Sequence, residues 1–94
     1  MAARIEVNKR KDGSFDVRVI EGKSETSHRV TLKDADYTRL TGAKVSQEEL
    51  IKRSFEFLLE HESKESILGS FDLMVIARYF PKYEREIKKR LSAD

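Results

Sequence analysis

The stretch that most limits the fold is residues 45–62, VSQEELIKRSFEFLLEHE, which carries a written helix start and an apolar surface too wide for a free-standing helix. Ser46 stands at the N-cap with Glu49 three residues on, the spacing of a capping box, and Val45 and Leu50 are placed for a hydrophobic staple. At about 100° per residue, Leu50, Ile51, Phe55, Phe57, Leu58 and Leu59 cover more than half of the helix circumference. Such a helix needs cover on two sides. What remains is a narrow ridge of mixed charge, Glu49, Lys52, Arg53, Glu56 and Glu60, with Glu49 and Arg53 at the i,i+4 spacing of an ion pair.

One source of cover lies upstream, where residues 3–32 alternate with period 2. Ala3, Ile5 and Val7 share a face, as do Phe15, Val17 and Val19, and then His28, Val30 and Leu32. Asp12-Gly13 and Gly22-Lys23 separate the runs as turn signals. Parity sets the registers. Keeping the first two apolar faces together requires an odd loop, Lys11-Asp12-Gly13 with Gly13 in the left-handed position, which puts Val7 opposite Val17 and Ile5 opposite Val19. The second hairpin requires an even loop, and Gly22-Lys23 suits a type II′ turn that sets Phe15 opposite Val30 and Val17 opposite His28. The reading is a three-stranded antiparallel meander with one apolar face.

Past Leu32 the period becomes helical. Asp34 is placed to cap a short helix through Leu40, with Tyr37 and Leu40 inward and Gly42 as its stop. After the central helix, residues 64–68 read as a helical turn with Ile67 and Leu68 buried and Gly69 ending it. Asp72 is placed to cap a further helix, where Phe71 and Ile76 repeat the staple spacing. Pro81 fits the first turn of a last helix carrying Tyr83, Ile87 and Leu91 on one face. The expected fold is α+β in a single domain, residues 1–94: a three-stranded antiparallel β-meander over 3–32, then a helical layer of three to five helices over 34–91.

Composition narrows function mainly by exclusion. Without cysteine there is no disulfide framework, zinc-thiolate site or cysteine nucleophile. No apolar run has membrane-span length and MAARIEV lacks a signal-peptide core, so a cytoplasmic protein with no membrane partner is expected. His28 and His61 have no metal-ligand spacing and read as a half-buried strand residue and a helix C-terminal surface residue. Paired acids sit at helix starts, and the four glycines are isolated at turns rather than run together as a phosphate loop. No enzyme, cofactor or metal is expected. The 19 basic and 17 acidic residues place basic ends around an acidic middle, far from a phosphate-binding stripe. A nucleic-acid partner is therefore not expected, and a protein partner is. Among the aromatics near the C-terminus, Tyr79 and Tyr83, with Lys88 and Lys89 of the last helix, are the candidate protein-binding residues, because a tyrosine needs a place for its hydroxyl.

The runs SFEFLLE, KESIL and FDL followed by YFP resemble a set of short bacterial proteins to which no activity is attached. That resemblance spans residues 28–87 and implies a stand-alone intracellular domain. RVTL, a short helix and SQEELIKRSFEFLLE resemble, over residues 29–60, the ribbon-helix-helix DNA-binding family. This second resemblance implies a dimeric regulator in which Arg29 and Thr31 touch bases and the helix start at Ser46 meets a phosphate. The chain departs from that pattern in the segment 33–45, about a turn short for the first helix, and in glycine turns that pair the strand within its own chain. With those departures the chain is expected to be a monomer, and a dimer only in the regulator reading.

Overall fold

A computed structural model describes residues 3–92 and shows an α+β fold in the order β1 (Arg4–Lys9), β2 (Phe15–Glu21), β3 (Ser24–Thr31), α1 (Asp34–Thr41), α2 (Gln47–His61), a 3-10 turn (Lys64–Ser66), β4 (Ser70–Asp72), α3 (Val75–Tyr79) and α4 (Tyr83–Ser92). The meander forms in the expected registers. Val7 faces Val17, Ile5 faces Val19, Phe15 faces Val30 and Val17 faces His28. The first loop is closed by Arg10 N donating to Ser14 O at 2.7 Å, with Gly13 at φ +91°. Only glycine takes that conformation without strain.

The sheet has four strands rather than three, in the order β1-β2-β3-β4, because Ser70–Asp72 adds to β3 in parallel. This corrects the role expected of Asp72. It ends a strand instead of capping a helix, and its carboxylate accepts from Thr31 Oγ1 at 2.8 Å and from Met74 N at 3.1 Å. Two smaller corrections have the same character. Asp34 is the first residue of α1, whose N-cap is Lys33 with no side-chain bond, and Pro81 lies in the turn before α4.

The central helix is the organiser of the fold. Ser46 Oγ accepts from Glu49 N at 3.0 Å, while the Glu49 carboxylate takes Arg53 Nε at 2.5 Å. Leu50, Ile51, Phe55, Phe57 and Leu58 are buried between the inner sheet face, Phe15, Val17, Val19 and Val30, and the α4 residues Tyr83 and Ile87. Ser54 is also fully buried on this helix. Its hydroxyl donates to Leu50 O at 2.8 Å and lies 2.7 Å from the Tyr83 hydroxyl.

Lys64 ties the 3-10 turn to the end of β2. Its side chain is 4% exposed, and Nζ lies 3.2 Å from Glu21 and 2.5 Å from Glu65. The Glu65 carboxyl is held below its ordinary value, chiefly by the hydrogen bond from Lys64. A depressed carboxyl contributes stability above its unfolded pKa and loses it as pH falls through the folded value. Lys64→Met is therefore expected to lower stability at pH 7, by a modest amount because both carboxylates are solvent-exposed, and to converge on the parent in acid, so that the acid limb of its stability profile is shallower. Melting temperatures at neutral and acid pH check this. A variant losing as much stability in acid as the parent would be the contrary result.

Candidate docking groove

The 3-10 turn ends where Ile67 becomes extended, at φ −74° and ψ 136°. In extended backbone successive side chains point to opposite sides. Ile67 therefore turns inward at 7% exposure and Leu68 outward at 48%, correcting the expectation that both are buried. The carbonyl of Leu68 is fixed by His28, whose Nδ1 lies 2.8 Å from it. A carbonyl only accepts, so the proton is on Nδ1, and Nε2 lies 2.8 Å from Thr26 Oγ1. His28 is thus a buried structural residue that aims the Leu68 peptide.

Between α2, this turn, β4 and α3 lies a groove of about 470 Å³. Leu58, Ile67 and Ile76, all buried, form its floor, and Phe71 and Val75 its walls. Leu68 and Tyr79 stand on its border, and they are the exposed large hydrophobics among the described residues. Tyr79 is 67% exposed. Glu62 is the one charged side chain lining the groove, and it has no ion-pair partner among the described residues. On the other side of the Tyr79-Phe80 ridge, His61 stacks on Phe80 at 5.2 Å, and Arg90 spans from Glu60, at 2.6 Å, to a position 5.7 Å from the Phe57 ring. That flank carries a second depression of about 460 Å³, bordered by Tyr79, Pro81 and the charged side chains of Glu60, Lys82, Glu86 and Arg90.

The candidate residues are only partly brought together. Tyr79 lies on the groove as an exposed aromatic. Tyr83 does not, being fully buried against Phe57 and Ser54, which corrects its candidacy as a surface residue. Lys88 and Lys89 are exposed on α4 but do not line the groove. Leu68 and Glu62 were missed as site residues, because a border assembled from four elements leaves no local pattern, while Phe71, which belongs to the C-terminal aromatic cluster and reads from sequence as core, lines the groove.

The residues of the regulator reading are placed differently. Ser46 is engaged by Glu49 N, and Thr31 Oγ1 donates to Asp72. Arg29 is exposed on the outer sheet face, 3.8 Å from Asp16, which also holds Arg10 at 2.7 Å. Arg18 pairs with Glu25 at 2.9 Å and Glu6 at 3.2 Å, and Arg4 with Glu6 at 2.6 Å. The arginines of this face are matched by carboxylates.

Among the described residues no cluster of histidines and carboxylates could hold a metal ion, and no helix is long and apolar enough to cross a membrane. Compared with protein families, curated proteins and solved structures, the chain matches none.

Proposed function

We propose that the chain is a non-enzymatic protein-interaction module of the cytoplasm, acting as a monomer that holds a partner in the groove between α2, β4 and α3. One observation carries the reading: the exposed large hydrophobics among the described residues, Leu68 and Tyr79, border the same apolar depression. Apolar side chains left exposed around a concave surface are where a partner gains most from excluding water. The second reading, a ribbon-helix-helix regulator, needs β3 free to pair with a second subunit. Here β3 is flanked by β2 on one side and β4 on the other, and its outward arginine shares a carboxylate.

Affinity capture with the full chain tests the proposal. Proteins retained by the parent and by the α4 surface control Arg85→Ala are expected to fall by about tenfold or more with Leu68→Glu and with Tyr79→Ala. An identical set from all four baits, or none from the parent, would refute it. A dimer in light scattering with micromolar, salt-sensitive binding to duplex DNA that Arg29→Ala abolishes would put the regulator in its place.

A further inference from the structure

The groove adjoins an open sheet edge, and the two surfaces share Phe71. The β3–β4 ladder begins with Arg29 N donating to Gly69 O at 2.8 Å and ends with Leu73 N donating to Thr31 O at 2.8 Å. In a parallel ladder the bonding residues alternate, so Phe71 faces β3 and the N–H and C=O of Ser70 and Asp72 point outward. No strand of the described residues lies beyond β4. The edge is approachable from both faces, since Gly69 and Ser70 border a depression on the outer face and Phe71 lines the groove on the inner one.

We infer that the partner docks as an extended segment added to the outer edge of β4, with alternate apolar side chains entering the groove and a lysine or arginine meeting Glu62. This rests on the groove being a docking surface. Phe71 is paired with Val30, whose side chain is in the core, so residues next to Phe71 on an added strand point to the same side. That side is the groove. Main-chain bonds to Ser70 and Asp72 give such a segment its direction, and the apolar pockets give it selectivity. A strand this short is also the usual way an edge avoids unwanted pairing. Few main-chain bonds are available, so Leu68, Tyr79 and the groove floor supply the anchoring. The sign of the partner's charge follows from Glu62, the one charged side chain lining the groove, which has no ion-pair partner among the described residues.

Selection of random 12-residue peptides displayed on phage, using the full chain as bait, tests the inference. Selected peptides are expected to carry apolar residues at every second position with at least one lysine or arginine. A synthetic peptide of that sequence should slow amide exchange at Ser70 and Asp72 by about tenfold or more. Ser70→Pro removes one outward N–H and no bond of the β3 ladder, so it should weaken the peptide about tenfold, while Ser70→Ala keeps its affinity within about twofold. Glu62→Gln should weaken it about threefold, and less at high salt. If Ser70→Pro does not fold, amide protection in the parent chain decides alone.

Peptides with apolar residues at i, i+4 and i+7 that require Leu68 but leave Ser70 and Asp72 unprotected would overturn strand addition and leave the docking groove standing. Peptides indifferent to Leu68→Glu, or no selected peptides at all, would overturn both. Self-association abolished by Ser70→Pro would make a second copy of the chain the occupant and reject the separate partner.

Discussion

Phe55→Ala is expected to lower stability by about 3–5 kcal/mol, enough to bring a chain of this size close to unfolding at room temperature. Phe55 is fully buried on the sheet side of α2. Its ring lies 5.4 Å from His28 on β3 and 6.0 Å from Phe71 on β4, so it holds both strands of the parallel pair against the helix. Removing it leaves a cavity walled by regular structure on each side, which has little freedom to collapse. The loss should therefore lie well above the transfer free energy of the ring alone. Urea titration measures it, and a change below about 1 kcal/mol would show that the site repacks. The effect should also reach the groove. His28 fixes the Leu68 carbonyl and Phe71 forms a groove wall, so amide exchange across residues 68–72 should quicken more than exchange in the β1–β2 hairpin.

The difference in legibility between those two regions has a physical cause. Strand registers in the meander were readable because side-chain parity and loop length constrain one another: an even first loop would have sent Val7 to the solvent face. The start of α2 was readable because Ser46 meets a bond partner three residues away. β4 offered no such signal. Three residues show no alternation, and their pairing with Arg29–Thr31 joins segments far apart in the chain. Asp72 looked like a cap because the same carboxylate geometry serves a turn, here accepting from Met74 N. Leu68 was misread for a related reason, since one 3-10 turn followed by extended Ile67 breaks the helical period after Ser66. The groove depends on both of these elements, so it became visible only with the tertiary arrangement.

Tyr83 separates a core role from a surface role in one set of variants. As a core residue, Tyr83→Ala is expected to cost about 3–5 kcal/mol, a drop of more than about 10 °C in melting temperature. As a binding residue it would reduce partner capture and leave melting unchanged. The hydroxyl makes the assignment sharper. Ser54 uses its only proton on Leu50 O, so Tyr83 must donate to Ser54 Oγ. Tyr83→Phe leaves Ser54 with its donor bond intact and should cost about 0.5–1.5 kcal/mol. Ser54→Ala strands a buried phenol O–H with no acceptor and should cost more, about 1–3 kcal/mol. The expected order of loss is Tyr83→Ala, then Ser54→Ala, then Tyr83→Phe, and a reversal of the last two would mean that the proton runs the other way. Alkaline titration adds an independent check. Burial pushes the Tyr83 phenol well above its ordinary value. A raised folded pKa contributes stability that is present below the unfolded pKa of about 10 and is lost as pH rises above it. The parent chain should therefore lose stability above about pH 10 more steeply than Tyr83→Phe, which has no phenol to ionise there, while both variants of the hydroxyl pair retain the groove and whatever it binds.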